Sequence, residues 1–153
     1  MPAAKCRPHH LLRHVFVYGT LRRGDDNDIN RFTPAPVLLG PATVYGRMFH
    51  LGAYPGVVLA SGATGEVHGA APSRVVGEVY AIHGSLEQQL DALEEVYPQE
   101  KGSQSGEYFK REIDVNVQGQ QVRCIVYEIN PDRIAGRRQI SSGDWVLDRH
   151  KNA

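Results

Sequence analysis

The chain has 153 residues, of which 41% are hydrophobic and 22% are charged, and its formal net charge at pH 7 is zero. This length and composition predict one globular domain that can form a hydrophobic core without a metal or a disulfide. The Lys and Arg residues are scattered along the chain, which argues against nucleic acid or an anionic membrane as the main partner, because clustered positive charge holds both. Composition alone leaves a local basic patch open.

The cysteines and the start of the chain bear on the cellular compartment. Cys6 and Cys124 show neither a disulfide framework nor metal-type spacing, so we predict two reduced thiols. No long apolar segment follows the first residues, and no run approaches the ~20 apolar residues that span a bilayer. We therefore expect a cytoplasmic protein with no membrane partner.

The N-terminal part begins with a polar stretch and then a strand. Residues 1–13 are polar and basic and predict a flexible tail, followed by a single domain over residues 14–150. The β-branched and aromatic run over residues 14–18 ends at Gly19 and predicts a buried strand. Residues 22–30, rich in Asp, Asn and Gly, predict a loop or the entry to a helix.

The middle of the chain alternates extended segments with turns. Residues 43–51 predict an extended segment, residues 52–56 a turn, and residues 57–59 an apolar run. Residues 61–73 are rich in Gly and Ala and predict an exposed loop, and residues 74–82 return to strand character. The core candidates on this strand are Val75, Val79 and Tyr80.

One helix is clearly marked. Ser85 and Gln88 form a capping-box pattern that predicts its start, and Pro98 predicts an end near Val96. The apolar stripe of this helix consists of Leu86, Leu90 and Leu93.

The C-terminal part predicts a hairpin. Residues 99–106 form a polar segment, and residues 109–117 and 121–129 then predict two strands that turn about Gly119. Further on, Trp145 is the only tryptophan. Many strands and few helices predict an α+β class, with a small mixed sheet or barrel and peripheral helices.

Most familiar catalytic motifs are absent, and the dispersed histidines predict no metal site. The loop after the first strand is one candidate site, formed by Tyr18, Gly19, Thr20 and Leu21. A glycine at the end of a strand lets the backbone approach a ligand and point its N–H groups at an anion or a carbonyl oxygen. An ordinary strand-ending turn is the alternative.

The predicted helix carries the second candidate. At 100° per residue, Glu87 and Glu94 both flank the apolar stripe, whereas Glu95 faces water. The helix dipole stabilises a carboxylate in the first turn, where Glu87 lies, and raises the pKa of one near the last turn, where Glu94 lies. A half-buried Glu94 is therefore the better general base. Taken alone, the pattern leaves a solvated helix glutamate open.

Five motifs follow one another in the order of a known family, from about Val15 to Ile129. They read Tyr18-Gly19-Thr20-Leu21-Arg22, Gly46-x-Met48-Phe49-x-Leu51-Gly52-x-Tyr54-Pro55-Gly56-Val57-Val58, Val76-Gly77-Glu78-Val79-Tyr80, Leu90-Asp91-x-Leu93-Glu94 and Tyr108-Phe109-Lys110-Arg111. Together they resemble the γ-glutamylcyclotransferase-like (AIG2-like) family, in which the glutamate of L-D-x-x-E is the catalytic base. Two features depart from the family pattern: Glu95 stands where glycine is usual, and the segment 99–106 is longer.

The resemblance implies a γ-glutamylcyclotransferase-like fold built on a compact β-barrel, and an enzyme. Its implied reaction cyclises a γ-glutamyl amide or amine to 5-oxoproline and releases the amine. Glu94 would be the general acid/base, and residues 18–21 would bind the small γ-glutamyl substrate, with no metal or cofactor. A non-catalytic module that binds a small metabolite in the same cavity is the main alternative, which Glu95 keeps open, and a purely structural or interaction domain is a third. The sequence leaves the γ-glutamyl compound and the oligomeric state open.

Overall fold

The structure is a computed structural model that describes residues 13–60, 73–94 and 107–151. The predicted tail, the predicted loop over 61–73 and the polar segment 99–106 therefore lie almost entirely outside the described residues, as does Glu95. Within the described ranges, no helix has the length and apolar composition needed to cross a bilayer.

Six strands and two α-helices make up the described chain. In chain order they are β1 (Arg13–Val17), β2 (Val37–His50), β3 (Pro55–Leu59), β4 (Ser73–Ile82), α1 (Gly84–Leu93), β5 (Tyr108–Val117), β6 (Gln120–Ile129) and α2 (Trp145–Lys151). Short 3-10 helices cover Ile29–Arg31 and Pro131–Arg133. The segments that the sequence predicted to be extended lie in strands except at Tyr18 and Leu51. Strand β2 begins at Val37, before the predicted segment, and β3 includes Pro55 and Gly56 of the predicted turn. Helix α2 was not predicted.

All six strands form one sheet in the order β3-β2-β4-β1-β6-β5. Every neighbouring pair is antiparallel except β1 and β6, which run parallel. Strand β2 also contacts β5, and β3 contacts β6, although neither pair is adjacent in this order. The sheet is therefore curled into a half-barrel, and the predicted α+β class, with a mixed sheet and peripheral helices, is confirmed.

Successive residues of β1 point to opposite faces of the sheet and contribute to two separate apolar clusters. Phe16 packs in the first cluster, together with Trp145 at the start of α2. Val15 and Val17 pack in the second cluster, with the buried side of α1. The end of β1 therefore lies beside α1, and this arrangement positions the candidate site.

The start of α1 corrects the capping prediction. The helix begins at Gly84, and its N-cap residue is His83, whose side chain makes no capping hydrogen bond. Ser85 thus lies inside the first turn and does not cap the helix. Strand β4 ends at Ile82, so His83 alone separates strand from helix, and the end of the strand fixes where the helix starts.

The end of α1 also differs from the prediction. The helix stops at Leu93 rather than near Val96, and Glu94 is its C-cap residue, with φ −87° and ψ 2°. Leu86 and Leu90 are fully buried, but Leu93 is 42% exposed. The apolar stripe is therefore shorter than the sequence pattern indicated.

The predicted hairpin is confirmed. Strands β5 and β6 pair from Tyr108↔Ile129 to Val117↔Gln120, and the two turn residues, Gln118 and Gly119, both have positive φ. This is the pattern of a type I′ turn, whose twist matches that of the flanking strands.

Cys124 on β6 is a free, buried cysteine, and burial raises the pKa of its thiol to about 12.

Candidate active site

A cavity of about 360 Å³ lies where β1 ends, beside the C-terminal end of α1. The starts of β3 and β5 and the C-terminal part of β6 also contribute to its wall. All five site residues predicted from the sequence line it, namely Tyr18, Gly19, Thr20, Leu21 and Glu94. Within the described ranges, no three His, Cys, Asp or Glu side chains are grouped so that they could hold a metal ion.

In the loop over residues 19–21, the backbone carbonyls are all hydrogen-bonded, whereas the N–H groups donate to none of the described residues. The three carbonyls accept hydrogen bonds from the N–H groups of Arg22, Asn27 and Ile29, at 2.9–3.0 Å. In the described part of the chain, we find no hydrogen bond donated by the N–H groups of residues 19–21. Backbone N–H groups that are shielded from water normally have a hydrogen-bond partner. Because these three have none among the described residues, they are available to donate to a ligand.

Gly19 is required by the approach of another strand. A Cβ atom at this position would lie 2.8 Å from Cγ of Pro55, at the start of β3. The sequence interpretation reserved this space for a ligand, but the structure fills part of it with the Pro55 ring. The glycine therefore lets the loop and β3 form adjoining parts of one cavity wall.

Arg22 anchors the loop to the sheet. Its guanidinium donates to the Glu78 carboxylate at 2.8–3.2 Å and to Asp144 at 2.9 Å. Burial lowers the pKa of Arg22, but the bonds to Glu78 and Asp144 outweigh it, so the pKa is raised overall. Such charge-assisted bonds hold the loop in place.

The Tyr18 hydroxyl is occupied by the fold. It donates to the carbonyl of Tyr127 at 2.6 Å and accepts from the N–H of Val57 at 3.3 Å. Burial, followed by the charge of Glu94, raises the pKa of Tyr18 well above its usual range. Tyr18 thus joins β1 to β6 and β3 as a neutral phenol at the cavity wall.

Glu94 has the electrostatics expected of a general acid/base. Its residue is half-buried, and burial raises the pKa of its carboxyl from 4.5 to about 7, with the charge of Glu107 as the second cause. No hydrogen bond to this carboxylate is found among the described residues. A carboxyl that titrates near neutral pH can both accept and return a proton.

Several residues that line the cavity were not predicted as site residues, among them Glu107, Tyr108 and Tyr127. Glu107 accepts a hydrogen bond from the hydroxyl of Tyr54 at 2.5 Å, and the Tyr108 hydroxyl donates to the Pro55 carbonyl at 2.7 Å. Glu107 directly follows the polar segment 99–106, so its position gave no sign of a site. Tyr108 belonged to a recognised motif, which could have identified it.

Glu87 is directed elsewhere. Its carboxylate accepts from Lys110 at 2.5 Å, and Arg13 lies 3.7 Å away. Glu87 is not among the residues that line the cavity. Glu87 in the first turn and Glu94 at the C-cap thus have different surroundings, in line with their predicted positions at opposite ends of the helix.

A second, wider cavity of about 700 Å³ adjoins the first. The two share Asp26 and Ala53 in their walls. The two cavities are therefore neighbours on the surface beside the loop that follows β1.

Comparison with known proteins gives relatives in sequence and in fold. The family model for gamma-glutamyl cyclotransferase, AIG2-like, matches residues 15–147. A Vibrio cholerae serotype O1 protein named "Putative gamma-glutamylcyclotransferase" is 39% identical over 84 residues, which are 54% of this chain and 62% of that protein. The chain thus spans less than two thirds of the length of this curated relative.

Two solved structures share the fold. The solution structure of ytfP from Escherichia coli has 30% identity and a TM-score of 0.53, over 90% of this chain and 98% of that one. The crystal structure of a mouse aig2-like protein has 23% identity and a TM-score of 0.56, over 78% of each chain. These likenesses show the fold, and the family-model match over residues 15–147 shows that the chain belongs to the γ-glutamyl cyclotransferase, AIG2-like family.

Proposed function

We propose that the protein is a γ-glutamylcyclotransferase-type enzyme that converts a γ-glutamyl amide or amine to 5-oxoproline and releases the amine. One observation carries the proposal. The Glu94 carboxyl, with its pKa raised to about 7, lines the same cavity as the loop over residues 19–21, whose N–H groups donate to no described residue. Family membership and the name of the Vibrio cholerae relative support the same reaction class.

The reaction needs little beyond these groups. The substrate's own α-amino nitrogen attacks the γ-carbonyl carbon, a five-membered lactam forms, and the bond from that carbon to the amine nitrogen breaks. Nucleophile and electrophile belong to one molecule, and well-oriented intramolecular reactions reach effective molarities of about 10⁵–10⁸ M. The cavity therefore acts mainly by holding a reactive conformer.

Glu94 moves the proton. Its carboxylate accepts a proton from the α-ammonium group, which frees the nitrogen lone pair, and the resulting carboxylic acid donates that proton to the departing nitrogen. The second proton that the α-nitrogen loses on becoming the lactam N–H passes to the regenerated Glu94 carboxylate, and from there to the released amine or to solvent. A group whose pKa is near the working pH performs both transfers, and such catalysis contributes roughly 10²–10⁴-fold. Burial beside Glu107 provides the required pKa.

The loop over residues 19–21 would supply hydrogen-bond donors to the substrate's oxygen atoms. Backbone N–H groups of residues 19–21 would donate to the oxyanion that forms when the γ-carbonyl carbon becomes tetrahedral, or to the substrate carboxylate. The cavity lining thus combines two carboxylate acceptors, Glu94 and Glu107, with a loop whose N–H groups donate to no described residue, and this gives it a mixed polarity. This polarity suits a substrate head that carries both an ammonium group and a carbonyl or carboxylate.

A panel assay tests the proposal. Purified protein is incubated with γ-glutamyl amino acids, γ-glutamyl amines and glutathione, and 5-oxoproline and free amine are quantified together. We expect at least one compound to give both products in equal amounts. Saturable binding of a γ-glutamyl compound with no 5-oxoproline from any member of the panel would instead favour the non-catalytic binding module.

A further inference from the structure

A polar network links α1 to the β5–β6 hairpin beside the cavity. Lys110 and Tyr127 are directly opposite each other in the β5–β6 register, so their side chains share one face of the sheet. The Lys110 ammonium donates to one oxygen of Asp91 at 2.9 Å, and the Tyr127 hydroxyl donates to the other at 2.7 Å. Both oxygens of the Asp91 carboxylate are thereby engaged.

This arrangement fixes the direction of the Tyr127 hydroxyl. A carboxylate only accepts hydrogen bonds, so the single hydroxyl hydrogen of Tyr127 is committed to Asp91. Burial lowers the pKa of Lys110, but its bonds to Glu87 and Asp91 outweigh this and raise it overall, so Lys110 stays a cation that only donates. Burial, then the bond to Asp91, raises the pKa of Tyr127, so its phenol is neutral. Any further hydrogen bond at the Tyr127 oxygen must be one that it accepts.

We propose that Asp91 is a positioning residue that turns the Tyr127 hydroxyl hydrogen away from the cavity, so that the Tyr127 oxygen accepts a hydrogen bond from the α-ammonium group of the ligand. Tyr127 lines the cavity and Asp91 does not, so Asp91 acts through Tyr127. The inference rests on the proposed function for the identity of the ligand. With Asp91 in this role, the site prefers a ligand with an α-amino group over one without it.

The variant Asp91→Asn tests the direction of the bond with little change in shape. Lys110 can only donate, so the amide oxygen of the asparagine turns toward it and the amide N–H group turns toward Tyr127. The Tyr127 oxygen then accepts from the asparagine, and its hydrogen turns toward the cavity. The hydroxyl hydrogen then faces the ammonium group of the ligand, which can only donate, so no hydrogen bond forms between the two groups.

Two ligands distinguish a reversed Tyr127 hydrogen bond from a general disruption of the site by Asp91→Asn. One is γ-L-glutamyl methylamide, and the other is glutaric acid monomethylamide, which differs only by lacking the α-amino group. Their affinities are measured by titration calorimetry in the Glu94→Gln background, so that neither ligand is consumed. Hydrogen bonds to charged groups are stronger than those between neutral groups. Asp91→Asn should therefore lower the affinity for the amino ligand at least about 10-fold and change the affinity for the des-amino ligand by less than about twofold.

A double-mutant cycle and a matched control complete the design. In a Tyr127→Phe background there is no hydroxyl to reverse, so adding Asp91→Asn should produce no further selective loss. Glu87→Gln removes the other carboxylate partner of Lys110 on the same helix and should leave the preference between the two ligands unchanged.

The outcomes distinguish this inference from the proposed function. Equal weakening of both ligands by Asp91→Asn, a selective loss that persists in the Tyr127→Phe background, or no binding of either ligand would overturn the positioning role. A selective loss as predicted, combined with no 5-oxoproline release by the unmodified protein, would support the positioning role and contradict the proposed reaction.

Discussion

Glu94 and Glu107 line the same cavity, and the charge of Glu107 is, after burial, the second cause that raises the pKa of Glu94 to about 7. The hydroxyl of Tyr54 donates to Glu107 at 2.5 Å and so holds its carboxylate in place. Repulsion between neighbouring carboxylates favours the neutral form of one of them. Burial, with this repulsion as the second cause, therefore raises the pKa of Glu94 to about 7.

This pair predicts the pH dependence of turnover. Glu94 must be ionised to accept a proton, so kcat/KM should rise with pH through an apparent pKa of about 7. This rise is the acidic limb of the pH–rate profile. Glu107→Gln removes the nearby charge and should move the acidic limb to lower pH. The limb is measured as initial 5-oxoproline release from pH 5 to 9.

Glu112→Gln is the matched control for the pH profile. Glu112 lies on the same strand as Tyr108, is exposed, and does not line the cavity. Its replacement should leave the acidic limb in place. An acidic limb that stays at the same pH in Glu107→Gln, or moves upward, would contradict the electrostatic role of Glu107.

Folding stability should depend on pH through the same carboxyl. The pKa of Glu94 is higher in the folded protein than its ordinary value of 4.5, so between about pH 4.5 and 7 the folded state binds more protons than the unfolded state. The stability that Glu94 contributes is therefore fully present below about pH 4.5 and is lost as the pH rises through about 7.

Glu94→Gln removes this dependence. The variant and the unmodified protein should have similar melting temperatures near pH 4.5, and the variant should become the more stable one as the pH rises. The gain should level off above about pH 7, at no more than on the order of 3 kcal/mol. Denaturant titrations at several pH values measure it, and a difference that is constant with pH would show that the Glu94 carboxyl is not perturbed by folding.

Gly19 should be sensitive to a single methyl group. In Gly19→Ala the new Cβ would lie 2.8 Å from the Pro55 ring, so the loop or β3 must shift. We expect a loss of about 1–3 kcal/mol in the free energy of unfolding, together with weaker binding of γ-glutamyl ligands. Gly84→Ala is the control, because a Cβ there meets no atom within 4 Å, and it should be neutral or slightly stabilising. Equal effects of the two substitutions would mean that the approach of Pro55 is unimportant.

The sequence predicted strands and the hairpin well because these depend on local pattern. Alternating apolar residues and the turn at Gly119 are visible within ten positions, and the structure reproduces them. The helix boundaries were predicted less well. The end of β4 places the start of α1 before Ser85, and a capping pattern carries no information about the preceding strand.

Some residues of the cavity could likewise be predicted from the sequence, and others could not. The loop beginning at Tyr18 and the glutamate at position 94 were found through motifs, and the structure brings them to one cavity. Tyr127 lies within the predicted strand 121–129 and belongs to no motif, so only its tertiary contact with Asp91 distinguishes it. Glu107 was missed because its neighbours Glu94 and Tyr54 are distant in the sequence.

The most direct test of the proposed reaction compares two glutamates of α1 and its C-cap. Glu94→Gln keeps the shape of the side chain but cannot accept a proton, so 5-oxoproline release should fall at least about 10²-fold with little change in ligand affinity. Glu87→Gln loses an ion pair with Lys110 and should cost about 1 kcal/mol of stability while turnover stays within about twofold. Comparable losses of turnover in both variants, each following a lower melting temperature, would contradict the assignment of Glu94 as the general acid/base.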